Sequence, residues 1–352
     1  MSVQDEAIAH PPIAAAAPVR SWRSGVKVTS LAWGLALLIV ALAIPFFAKN
    51  FLIFQLTMVM VYAIAIVGLN LLTGINGQFS LGHSAFYAIG AYTAAILMEM
   101  GGVPYALTLP VAGLVCFLAG FLFGLPALRL EGLYLALATF ALAVATPQLL
   151  KFSPFEHWTG GVQGIVIIKP DAPFGLPLSQ DQWLYFFTLA VGLVLYWGAR
   201  NLVRSRTGRA MMAIRDNPIA ARSMGVNTAL YKSLTFGVSA LYTGIAGALG
   251  AIVIQFVAPD SFTFTLSIGL LVGLVVGGVG WLPGALFGGA FVLFVPNFAE
   301  HVSKGLSGAV YGVILILLIY LMPSGVAGFV RTIRGVLMPR APRNPSAAAR
   351  DP

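Results

Sequence analysis

The chain has 352 residues, 59% of them hydrophobic and only 9% charged, with a mean hydropathy of +0.91 and a net charge of +9. That leaves too little polar surface for a soluble domain of this length, and several apolar runs reach the ~20 residues needed to cross a bilayer core of roughly 30 Å. A single cysteine, Cys116, excludes an intrachain disulfide and a Cys-based metal site.

Residues 1–30 are Ala/Pro-rich and then basic, which predicts a disordered cytoplasmic tail. The first apolar run, 31–48, is longer than the ~7–15 residues of a signal-peptide core, so it reads as an uncleaved span. Further runs follow at 51–72, 80–100, 104–126, 132–150, 182–201, 233–257, 265–282, 284–299 and 308–329. The fold class is therefore all-α: a polytopic membrane body over 31–329 with about ten transmembrane helices. The run 80–100 is Gly-rich and carries His83, and the short run 284–299 contains Pro296, which makes it a candidate re-entrant or broken helix. The tail 330–352 is basic and Pro/Ala-rich, and is predicted to be disordered.

Two long polar segments interrupt the runs, 151–181 and 202–232. With the N-terminus in the cytoplasm, 16 of the 20 Lys and Arg residues fall inside, and only Lys49, Lys151, Lys169 and Lys304 fall outside. Lys/Arg placement sets orientation. The bias puts both tails and the basic loop 202–232 in the cytoplasm, and the loop 151–181 on the outer face. Topology thus explains the basic residues without nucleic acid.

Several chemistries lack their residues. None of the six Lys follows a Gly, so no ATP-binding phosphate loop is present. His10, His83, His157 and His301 are scattered, with no zinc-binding pattern, and no nucleophile elbow exists. Charge inside the spans is nearly missing: Glu99 lies at a span end, Arg129 and Glu131 flank a turn, and only His83 is a candidate. A proton- or ion-driven carrier keeps such groups in its spans, so the energy source is expected on another chain.

The basic loop carries its own signals. Ala210 to Arg215 suit a helix of one and a half turns. Asp216 or Asn217 then caps a second short helix with Pro218 at its first position, where a missing N–H costs nothing. Gly225 suits a left-handed C-terminal cap. A short amphipathic helix of this kind fits a groove on a partner or lies on anionic lipid, and the residues alone leave both open. Earlier in the chain, Asn70, Thr73, Asn76, Gln78, Ser80, His83 and Ser84 crowd into a Gly-rich span edge. Such a cluster suits either a broken helix lining a translocation path or a tight helix contact.

Ala220-Ala221 followed by Gly225 resembles the EAA loop of ABC-importer permeases, and the stretch 208–227 resembles its form in branched-chain amino acid permeases of the LivM type. Ile219 stands where the general pattern has Glu, so no particular salt bridge is implied there. Gly77-Gln78-Phe79-Ser80-Leu81-Gly82-His83-Ser84-Ala85-Phe86 resembles a second signature of that family, with Gly90-Ala91-Tyr92 continuing it. Further blocks match at Glu131–Ala136, at Thr159-Gly160-Gly161 with Gly164-Ile165, and at Gly277-Gly278, Gly280 and Gly284-Ala285.

The resemblance implies an ABC-importer permease working by alternating access in a bacterial inner membrane. The implied partners are a second related permease, two cytoplasmic P-loop ATPases holding ATP and Mg, a periplasmic substrate-binding protein and the lipid bilayer. This chain would hold no cofactor and do no covalent chemistry. Gly208, Arg209, Arg215, Asp216, Asn217, Ala220, Ala221 and Gly225 would form the ATPase-coupling loop. Asn70, Thr73, Gly77, Gln78, Ser80 and His83 are candidates for the path, and Thr159, Gly160, Gly161 and Gly164 for outer docking. Gly277, Gly278, Gly280 and Gly284 read as helix packing, with a dimer seam as one location. A urea or short-amide importer is the nearest alternative. A stand-alone secondary transporter gives the coupling loop no role, and a membrane enzyme lacks a catalytic cluster.

Overall fold

The computed structural model describes residues 28–330, except 128, 129, 131, 176, 303, 323 and 324. The predicted tails therefore lie largely outside the described residues, as do Arg129 and Glu131. The chain divides into two compact units, residues 1–47 and 48–352. The first contributes helix α1, Val28–Phe47, which begins earlier than the predicted start at 31.

In the second unit α2, Asn50–Leu69, runs without a break into a π-helical turn, Asn70–Ile75. Helices α3, His83–Glu99, α4, Tyr105–Ala127, and α5, Leu133–Leu150, follow. The segment 151–179 holds a single turn, α6, Glu156–Thr159, and a two-residue strand β1, Ile165–Val166. Then come α7, Gln180–Arg204, and the two short helices α8, Arg206–Asp216, and α9, Pro218–Ser223. The long α10, Thr228–Ile254, ends in β2, Phe256–Val257, and α11, Phe264–Gly277, α12, Gly284–Val302, and α13, Ser307–Leu321, complete the order.

Each of the ten predicted runs coincides with a helix. Among the described residues, seven helical segments are long and apolar enough to cross a membrane, and the apolar stretches described in α1 and α13 are shorter. The predicted run 80–100 is shortened at its start, because residues 76–82 leave the helix and α3 begins only at His83. Pro296 does not break α12, which is continuous through Val302. A proline inside a helix forfeits one hydrogen bond. The first half of α12 is held tightly enough to carry that loss: a methyl on Gly288 would meet the carbonyl of Gly273, and one on Gly289 the backbone of Val59 and Ala63.

The core is organised around α10, whose 27 residues extend roughly 40 Å at 1.5 Å per residue. It is packed by α2, α3 and α4, and Phe236, Leu249 and Ile252 are fully buried. Water does not drive helices together inside a bilayer, so close van der Waals packing through small residues does. Gly90 of α3 and Gly244 of α10 lie backbone to backbone, and Cys116 of α4 fits against Gly244 as a small packing residue. Gly277 and Gly284 face each other in the α11–α12 pair. Their contact is inside this chain, because the two glycines bracket a single tight turn.

Candidate functional site

The basic loop folds as its local signals require. Ser205 caps α8, and Gly208 is buried so closely against the carbonyls of Leu202 and Val203 that no side chain fits. Asn217 caps α9, its side-chain oxygen accepting from Ile219 N and Ala220 N at 3.0 Å each, with Pro218 at the first helical position. Gly225 has φ +82°, and the paired bonds Gly225 N to Arg222 O and Val226 N to Ala221 O, both 3.0 Å, close the helix as a Schellman motif. Ala221 turns into the body of the chain, whereas Ala220, Ile219 and Met224 are exposed, the last two at 77% and 87%. The apolar surface offered by α9 is thus Ile219 and Met224. Large apolar residues at exposed positions of a capped helix were the available sequence signal.

Arg215 links this loop to the polar block. Its Nη1 donates to the carbonyl of Gly74 at 3.0 Å, while Nε and Nη2 donate to Asp216 at 3.1 and 3.0 Å. Gly77, with φ +77°, lies under the same side chain: a methyl there would sit 2.7 Å from Arg215 Cγ. Met211 and Ile214 of α8 are buried, so the loop is anchored and not merely adjacent. Arg209 donates to Arg204 O at 3.3 Å and makes no such bridge. A cavity of about 170 Å³ remains between the two segments, lined by Gly77, Gln78, Ile214, Arg215, Pro218 and Lys232 among others.

The polar residues of the block are buried and largely paired. Asn70 accepts from Gly280 N at 2.8 Å and donates to Trp281 O at 3.2 Å, which ties the π turn to the α11–α12 turn. Thr73 donates to Gln78 O at 3.0 Å, and Gln78 Nε2 to Lys232 O at 3.3 Å. Ser239 Oγ donates its only proton to Gly68 O at 2.7 Å, so it accepts from His83 Nε2 at 2.8 Å. His83 Nδ1 is then the acceptor for Ser80 Oγ at 3.1 Å. This chain of hydrogen bonds bridges α3 to α10 through the imidazole. Ser239 went unremarked in the sequence, although a serine inside an apolar run signals a buried partner. Asn76 is also buried, and its amide has no partner among the described residues.

On the other side of the body, Thr159 Oγ1 shares its single proton between Leu150 O and Phe155 O and accepts from Gly161 N. Gly160 closes α6 in the left-handed region, and Gly164 packs on Val257 where β1 pairs antiparallel with β2. These four residues shape the loop, and Trp158, Val162, Val166 and Ile168 are its exposed surface. Lys151 pairs with Asp260 and Lys169 with Asp181, both at 2.5 Å. Among the described residues no group of His, Cys, Asp or Glu is placed to hold a metal ion.

The family described as "Branched-chain amino acid transport system / permease component" matches residues 51–319. The chain belongs to this family. It is a multi-pass membrane protein and a transporter component rather than an enzyme. Among relatives, the LivM permease protein of Salmonella typhimurium is 37% identical over 269 residues, covering 70% of this chain and 63% of that protein. The Escherichia coli LivM protein is 37% identical over 268 residues, with the same coverage. The BraD permease protein of Pseudomonas aeruginosa is 25% identical over 293 residues, 78% of this chain and 93% of its own. The matched region thus spans a little under two thirds of the LivM relatives. No solved structure matches the chain. The matched permease region takes in the polar block, α8–α9 and the outer loop, and leaves out most of α1.

Proposed function

We propose that this permease forms the translocation path of an ATP-driven importer of branched-chain amino acids, working with a second permease, two cytoplasmic ATPases and a periplasmic binding protein. The substrate reading is supported by the LivM, LivH and BraD relatives, each described as a branched-chain amino acid permease protein. The distribution of Lys and Arg supports cytoplasmic termini and a cytoplasmic α8–α9.

The observation that carries the mechanism is the bond from Arg215 to Gly74. In this reading α9 seats Ile219 and Met224 in a groove of an ATPase. Movement of α9 then passes through α8 and Arg215 to the π turn at the end of α2. The polar block, with Asn70, Thr73, Gly77, Gln78, Ser80 and His83, moves as one hydrogen-bonded unit beside the path. The cavity beside Arg215 gives that movement room. The outer loop, framed by Thr159, Gly160, Gly161 and Gly164, receives the binding protein.

The test is purification from the native membrane in mild detergent, with and without residues 219–225 replaced by a Gly/Ser linker. Recovery of two ATPases with the native chain and their loss from the variant is the expected result. A linker variant that keeps both ATPases and full uptake rules out the coupling role.

A further inference from the structure

Two cavities meet at one carboxylate. One, of about 340 Å³, is walled by Tyr62 of α2, Leu266 and Ile268 of α11, Val292 of α12 and Tyr311 of α13. The other, of about 460 Å³, is polar at its rim, with Gln55, Asn297, His301 and Lys304. Glu300 and Ser307 line both. Glu300 is the only acidic residue lining either cavity, and Lys304 the only lysine. Among the described residues neither is engaged in an ion pair.

Val292, Pro296 and Glu300 follow one another at four-residue spacing and all line the first cavity. Pro296 has no N–H, so the carbonyl of Val292 lacks its helical donor. The same face of α12 therefore carries a carbonyl without a helical donor and a carboxylate. Glu300 also sits in the last turn of α12, where the helix dipole disfavours negative charge. Glu300 is exposed at this position and lines both cavities.

We infer that the α2–α11–α12–α13 groove is a reception site for a free aliphatic α-amino acid on the outer side of the permease. Its ammonium meets Glu300 and the Val292 carbonyl, its carboxylate meets Lys304, and its side chain enters the apolar pocket below. Both cavities fall in the size range of small-molecule sites, about 300–1,000 Å³. A phospholipid headgroup without an ammonium is a poorer fit, because its phosphate would meet Glu300 with a single lysine to offset it. The inference rests on the importer reading proposed above, and it names the residues that select the substrate.

Gly308 lines the same pocket, and a Cβ added there meets nothing within 4 Å, so the backbone accepts a side chain at this position. The experiment is ATP-driven uptake of leucine, valine and alanine by the native complex in proteoliposomes, comparing Glu300→Gln, Glu300→Asp and Gly308→Leu. Glu300→Gln is expected to lower uptake of all three about tenfold or more, as for loss of a charged hydrogen bond, with the complex still assembled and Glu300→Asp retaining part of the activity. Gly308→Leu is expected to cut leucine uptake while sparing alanine. Wild-type uptake by Glu300→Gln, or equal losses of leucine and alanine in Gly308→Leu, overturns the site and leaves the importer reading intact. An unchanged uptake with altered content of bound phosphatidylethanolamine assigns the groove to lipid instead. A wild-type complex that takes up none of the three amino acids overturns both readings.

Discussion

Arg215 at the end of α8 donates a hydrogen bond of 3.0 Å to the carbonyl of Gly74, in the π turn that terminates α2. The two residues are 141 positions apart in the chain. A π turn leaves carbonyls off the regular α-helical ladder, and the guanidinium satisfies one of them while holding Asp216 with its other nitrogens. Helix α8 and the buried polar block are therefore joined directly by this bond.

Breaking that connection should separate assembly from transport. Arg215→Ala is expected to keep the ATPases in the purified complex, since Ile219 and Met224 remain exposed on α9. A hydrogen bond to a charged group is worth about 1.5–3 kcal/mol, so uptake should fall about tenfold or more. Uptake at the wild-type rate in reconstituted vesicles would remove Arg215 from the coupling route.

Gly77 tests the same joint from the other side. Its φ of +77° costs a side chain about 1–2 kcal/mol, and the added methyl would crowd Arg215 Cγ at 2.7 Å. Gly77→Ala should lower both the melting temperature of the solubilised chain and uptake. Combining it with Arg215→Ala should cost less than the sum of the single changes, because the Cγ clash disappears while the φ cost stays. Strict additivity in a double-mutant cycle would mean that the two residues do not interact.

His83 is expected to be structural. Both of its ring nitrogens are engaged, by Ser80 and by Ser239. His83→Leu leaves two buried hydroxyls short of a partner and should destabilise the chain by about 2–4 kcal/mol. Ser239→Ala alone should be milder, and the pair should again be sub-additive. A His83→Leu chain that unfolds at the wild-type denaturant concentration would contradict this assignment.

Asn217 sets the stability of α9. Losing an N-cap costs about 1 kcal/mol, so Asn217→Ala should weaken retention of the ATPases about fivefold. Asn217→Asp or Asn217→Ser should retain them, because either side chain can accept from Ile219 N and Ala220 N. The readout is the fraction of ATPase recovered at increasing detergent washes, and equal recovery from Asn217→Ala and wild type would dissociate capping from docking.

At the proposed docking loop, Thr159→Val removes the hydroxyl that holds Leu150, Phe155 and Gly161 together. The expected result is weaker capture of the binding protein together with a lower melting temperature, since buried partners of the hydroxyl are left unsatisfied. Capture at wild-type affinity, measured by titration of the complex with its co-purified binding protein, would place the docking surface elsewhere.

The sequence by itself determined what is local. Apolar runs place helices because no other backbone satisfies its own polar groups inside a bilayer, and all ten runs carry one. The cap of α9 was equally legible, since Asn217, Pro218 and Gly225 act within a turn of themselves. Tertiary structure decided which distant groups those elements meet. A buried Asn70 or His83 demands a partner, but nothing in its neighbourhood names Gly280 or Ser239 more than a hundred and fifty residues away. The same limit hid the inward turn of Ala221, the pairing of Gly277 with Gly284 inside one chain, and the unbroken course of α12 through Pro296. Periodicity and capping are set by neighbours along the backbone. Partners of buried polar and small residues are set by which helices pack together, and that is a property of the whole bundle.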